Sequence, residues 1–192
     1  MGATDSHRTR WIMAALALLM AATRFHHEGT AFSLPDASLA VFFLLGWYGG
    51  GLLAFAGFFL AACAIDYAAI AHLGVSDYCV TPAYGFLVPT YAALWWAGRW
   101  SGRAHVGDAL PWGRIALALP VAATVAFVIS NGSFFLLSGR LEGADWAAYS
   151  LGVLRDYPAY LGAAMAYSAF ALALDTLART LAGPDYRWAK SK

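Results

Sequence analysis

The chain has 192 residues, of which 61% are hydrophobic and 12% charged, with 12 Lys and Arg against 11 Asp and Glu. A soluble globular domain carries about a quarter of its residues as charges, so this composition excludes one and indicates an integral membrane protein. The near-neutral balance without a basic run excludes nucleic-acid binding, and two cysteines without CxxC spacing exclude a zinc ribbon or a thioredoxin-type redox pair.

Apolar blocks of near-membrane length alternate with short polar breaks, and six spans are predicted: Trp11–Thr23, Asp36–Gly49, Leu52–His72, Ala83–Gly98, Ile115–Ser130 and Tyr157–Leu177. The first covers only about 20 Å of a hydrocarbon core roughly 30 Å thick. Its helix is therefore expected to continue through Arg24, Phe25, His26 and His27, polar groups tolerated at that depth only against protein or a watery cavity. Leu34-Pro35-Asp36 opens the second span, and Gly49-Gly50-Gly51 makes a tight turn into the third. Gly107 to Gly113, with Pro111, closes a short loop, and Pro120 is expected to kink the fifth span. Segment 131–156 reads as an outer lid. Phe134-Phe135-Leu136-Leu137 is too short to span, while Trp146, Tyr149, Val153 and Tyr157 recur at helical spacing. That pattern fits an amphipathic helix lying over the outer mouth or resting in the lipid interface. Residues 1–192 thus form one all-α bundle without repeats or a soluble domain.

With the N-terminus inside, nine of the 12 Lys and Arg fall on cytoplasmic segments; only Arg24, Arg140 and Arg155 lie outside. The positive-inside rule then puts both termini in the cytoplasm, with Trp95, Trp96, Trp100 and Trp112 as an aromatic belt at the inner interface. Arg8 and Arg10 before the first apolar run also fit a signal peptide ending at Ala21-Ala22-Thr23. Its removal would leave five spans with unchanged sidedness.

Four polar residues converge on the outer level: His27 after the first span, Asp66 in the third, Cys79 in the break Gly74-Val75-Ser76-Asp77-Tyr78-Cys79-Val80-Thr81-Pro82, and Tyr84 opening the fourth. An ionisable group inside an apolar span marks a functional site by default. Each also has a plainer role. His27 can cap its helix, as its neighbour His26 can; Asp66 can pair with Arg24 or Arg155; Tyr84 can be an interface aromatic. Cys79 is harder to explain as structure alone, because an exposed thiol on the oxidising side is a liability without a use. Cys63, mid-span, reads as a packing residue, and no Cys63–Cys79 disulfide is expected. Asp175 with Arg179 reads as a helical ion pair and Asp156 as an N-cap.

A thiolate is a soft ligand, suited to zinc, Cu(I), haem iron or cobalt. Cys79 and His27 alone would leave a bare metal ion under-coordinated, whereas a metal held in a macrocycle needs only one or two axial ligands. Haem and cobalamin both fit. Arg24-Phe25-His26-His27, Asp66 and Ser76-Asp77-Tyr78-Cys79-Val80-Thr81-Pro82-Ala83-Tyr84, set among six short spans, resemble the BtuM family. These are small bacterial transporters similar to the substrate-binding S-components of energy-coupling-factor (ECF) vitamin transporters. The resemblance implies an inner-membrane uptake protein that binds cobalamin from outside. Cys79 would be the axial ligand to cobalt, with His27, Asp66 and Tyr84 around it, and Arg155 is a further binding candidate. It also implies docking on an energising module through small residues of the first helix, which Ala17 and Ala21 match in spacing. No GxxxxGK[ST] sequence is present, so the chain has no ATP site of its own. Replacement of a cyano ligand by Cys79 would favour decyanation of cyanocobalamin, with His27, Asp66 and Tyr84 lowering the thiol pKa or protonating the departing cyanide. Alternatives are an S-component for another vitamin, a haem-binding membrane protein with His27 as axial ligand, or a membrane enzyme.

Overall fold

In a computed structural model, which describes residues 3–24, 35–103, 110–141, 143 and 145–182, the apolar blocks fold into six α-helices. These are α1 (Ala3–Arg24), α2 (Ser38–Trp47), α3 (Leu52–Leu73), α4 (Leu87–Gly102), α5 (Trp112–Leu137) and α6 (Trp146–Ala182), with a 3-10 turn at Pro82–Phe86 ahead of α4. The described residues contain no strand. Three helices, α3, α5 and α6, are long and apolar enough to cross a membrane. Most of their apolar surface is exposed, as at Leu53 (91%), Leu136 (74%) and Leu181 (78%). Surface of this kind, extending along whole helices, belongs in lipid.

The other expected spans are helices, but by length and composition they do not meet the same standard. At 10 residues, α2 is only about 15 Å long. All 10 are buried, so α2 forms the centre of the bundle. A helix that is apolar all round is stable in that position because neighbours cover every face. The polar first turns of α1, with Arg8 and Arg10, and the 16-residue length of α4 have the same consequence.

The central contact is between α2 and α4, and it is set by glycine. A Cβ on Gly98 would lie 1.9 Å from Phe43 O, and one on Gly46 would lie 2.0 Å from Trp95 O. Neither position accepts a side chain, so the two backbones can touch as they do between small residues of packed membrane helices. The Gly49–Gly51 turn is tied to this pair, because Trp95 Nε1 and Arg99 Nη1 both donate to Gly50 O, at 2.9 and 3.0 Å. Trp95 therefore faces inward and only half joins the expected belt; Trp96, Trp100 and Trp112 are exposed.

Segment 131–156 is divided differently from the sequence reading. Phe134 to Leu137 complete α5, and Trp146 to Asp156 are the first turns of α6, which runs on without a break through Pro158. The Trp146–Tyr149–Val153–Tyr157 register is that of the last span itself, which is why one helix contains both. Helix α5 likewise continues across Pro120. Thr124 Oγ1 donates to Pro120 O (2.7 Å) and lies 2.7 Å from the Tyr157 hydroxyl, joining α5 to α6. At the opposite end of the bundle, Asp175 pairs with Arg179 on its own helix and with Arg8 of α1 (2.5 Å), so one carboxylate ties the chain's first helix to its last.

Candidate ligand-binding site

The helices alternate in direction, so the end of α1, the start of α2, the end of α3, the start of α4, the end of α5 and the start of α6 meet at one pole. A half-open cavity of about 970 Å³ lies there, with walls from all six helices and the 74–81 loop. It is at the upper end of the range of about 300–1,000 Å³ usual for small-molecule sites. Asp66, Cys79 and Tyr84 all line it. His27 and His26 lie outside the described residues. Arg155 is exposed on α6 and is not among the lining residues, whereas its neighbour Asp156 is. The helix places residues 152, 153, 156 and 159–160 on the cavity side and turns 155 away from it.

The floor is a buried ionic network. Arg24 grips Asp66 in a two-pronged pair, with Nε to Oδ1 at 2.6 Å and Nη2 to Oδ2 at 2.7 Å. Its remaining nitrogen, Nη1, donates to Ser38 Oγ (2.9 Å) and Tyr91 OH (2.8 Å), and lies 3.4 Å from Asp36 Oδ2. Tyr84 OH donates to Asp66 Oδ2 at 2.6 Å. Of the two partners open to Asp66 in the sequence, Arg24 is the one it takes. Each member has a local cause. Asp36 precedes α2 and accepts from Ser38 N (2.9 Å) and Ser38 Oγ (2.7 Å), holding that serine toward Arg24. Tyr91 stacks on Phe42 of α2, with centroids 4.2 Å apart and planes within 6°. A buried charge requires such company, because desolvation makes an unpaired one very costly.

Above this floor, Gly74 ends α3 with φ of 70°, the left-handed geometry that lets the chain leave the helix sharply. The loop then crosses the mouth, and Thr81 and Pro82 start the 3-10 turn that presents Tyr84. Cys79 is exposed on this loop, facing the cavity. Its neighbour Tyr78 packs on Phe134 of α5 (centroids 5.5 Å apart) and under the guanidinium of Arg140 (5.5 Å). Phe135, Trp146 and Tyr149 form a further aromatic cluster between α5 and α6.

Partial burial raises the Cys79 thiol pKa, and the negative charge of Asp66 adds to the effect. This reverses the expectation that Asp66 would help to ionise it; a carboxylate beside a thiol disfavours a second negative charge. Both cysteines are free. Cys63 is half-buried within α3. No group of three His, Cys, Asp or Glu among the described residues could hold a bare metal ion.

Arg24, Asp36, Ser38 and Tyr91 were not singled out by sequence as members of the site. The one signal was a cation at the end of an apolar span, which requires a buried partner. Compared with known proteins, the chain matches no protein-family model, and no curated protein is significantly similar to it.

Proposed function

We propose that this chain is a multi-pass protein of a bacterial inner membrane that binds cobalamin at its outer face and moves it across the bilayer. The observation that carries the reading is a thiol, Cys79, exposed inside a cavity of about 970 Å³ whose walls carry Tyr78, Phe134 and Tyr149. Broad apolar and aromatic walls with a few placed polar groups suit a large planar ligand. A single soft donor suits a metal whose equatorial positions are already filled by a macrocycle. In this reading Cys79 supplies the axial ligand to cobalt, while Asp66 and Tyr84 form part of the floor and His27 is a further contact.

The resemblance to ECF S-components completes the picture. All six helices are taken as spans with both termini in the cytoplasm, so the cavity opens outward. Ala17 is exposed on α1 and Ala21 half-buried, which leaves part of that face open to an energising module. Cyanocobalamin would exchange cyanide for sulfur without redox change: the Co–C bond breaks, a Co–S bond forms, and the thiol proton leaves with cyanide as HCN.

Proteoliposomes carrying only this chain test transport. Faster equilibration of trapped corrinoid than in empty vesicles supports passage by the chain alone. Corrinoid binding without passage assigns transport to a partner module, and absence of both rejects the function.

A further inference from the structure

The cavity has an uneven supply of charged groups. Several donors that reach it are committed within the protein. Arg24 donates to Asp66, Ser38 and Tyr91, Tyr84 OH to Asp66, Thr90 Oγ1 to Phe86 O (2.7 Å), and Tyr149 OH to Asn131 O (2.9 Å). Beside hydroxyls such as those of Ser76, Ser130 and Tyr160, two carboxylates face the space, and Asp36 does so with the part of its carboxylate that Ser38 and Arg24 leave exposed. Asp36 lines it with its side chain 40% exposed, and Asp156 lines it on the exposed start of α6. Asn131 gives one amide hydrogen to Phe127 O (3.0 Å), which leaves Oδ1 and its second N–H to the wall. Among the described lining residues there are three carboxylates and one cation, and that cation is only 4% exposed and clamped on Asp66.

We infer that Asp36 and Asp156 are specificity determinants that make the cavity select ligands with a periphery of neutral donors, such as primary amides, and reject ligands with peripheral carboxylates. The inference rests on the corrinoid reading and deepens it. A corrin ring fringed with carboxamides presents N–H groups to these acceptors. The same ring with a carboxylate, or a porphyrin with propionates, brings a negative charge toward Asp36 and Asp156 and replaces a donor by an acceptor. At separations of several ångströms in a partly solvated site, one added charge of the wrong sign lowers affinity about tenfold. Salt reduces the penalty, because both carboxylates are partly exposed.

The test is equilibrium binding to the detergent-purified full chain of cobalamin, of its peripheral monocarboxylic acids made by mild acid hydrolysis, and of haemin. The inference expects the monocarboxylates to bind about tenfold or more weakly than cobalamin at low salt, with haemin excluded. It expects that gap to narrow at high salt and in Asp156→Asn. Asp156 is exposed and on no described hydrogen bond, so this variant should fold; Asp36→Asn is the second variant. Equal binding of cobalamin and its monocarboxylates overturns the inference while leaving the corrinoid reading intact. A gap that persists unchanged in both variants and at high salt also overturns it. Tight binding of haemin without cobalamin overturns both, as does the absence of any corrinoid binding.

Discussion

Arg24 holds the floor of the cavity through five side-chain contacts on four other residues, Asp36, Ser38, Asp66 and Tyr91. Removing one member of a buried pair leaves the other charged and unsolvated, at a cost of about 3–5 kcal/mol. Arg24→Ala is therefore expected to destabilise the protein by about that amount, read as a lower unfolding midpoint in a denaturing detergent. Asp66→Asn, which keeps two hydrogen-bonding atoms, should cost less; equal costs would mean that the charge pairing is not what matters. At Cys79 the expectation concerns reactivity. With the thiol pKa raised by burial and by Asp66, less thiolate is present at neutral pH than in a free cysteine. Its alkylation by iodoacetamide should be slow at pH 7–8 and rise toward more alkaline pH, and Asp66→Asn should speed it at pH 8. A rate unchanged by that substitution would contradict the electrostatic part of the explanation. The sequence made Cys79, Asp66 and Tyr84 conspicuous because each interrupts an apolar setting. It did not reveal Ser38 and Tyr91, whose roles depend on a neighbour far away in the chain. Nor did it settle the partner of Asp66, since Arg24 and Arg155 were equally plausible by depth.

Among the elements, α2 is the one the others surround, and its contact with α4 depends on two glycines. Gly98→Ala or Gly46→Ala would drive a methyl group into a facing carbonyl, because the space ends 1.9 and 2.0 Å from the added atom. Overpacking of a close contact costs about 1–3 kcal/mol or more, so both variants should unfold earlier or fail to accumulate in the membrane. Gly162→Ala is the control. Nothing lies within 4 Å of its added Cβ, and alanine favours a helix interior, so stability should hold or rise slightly. Equal loss in all three would point to a general sensitivity of the bundle rather than to this contact. Helix positions were largely legible from the spacing of apolar blocks and from Gly and Pro breaks. Several boundaries were not, and two of them bear on the cavity. The start of α6 was read as a separate lid because its first three turns are more polar than the rest, although their side-chain register continues unbroken into the span. The end of α5 was read as part of the lid because Phe134 to Leu137 is too short to span, although Asn131 and Ser133 continue the helix into it. Both bond back to carbonyls three or four residues earlier, which keeps them in the helix.

The described residues form a helical bundle with a lipid-suited exterior and a polar cavity at one pole. The proposed sidedness makes a separate prediction. A membrane-impermeant maleimide added to intact spheroplasts should label Cys79, and added cobalamin should protect it; Cys63, within α3, should not react. Labelling only in inverted vesicles would turn the cavity toward the cytoplasm and reverse the proposed direction of entry. The central claim, that Cys79 ligates the cobalt of a bound corrinoid, is tested most directly by the visible absorption spectrum of the purified protein with cobalamin, for the parent and for Cys79→Ala. A corrinoid band shifted from that of free cobalamin in the parent, and unshifted in the variant, is the expected result. A parent spectrum equal to the sum of its separate components, or an identical shift in the variant, would contradict it.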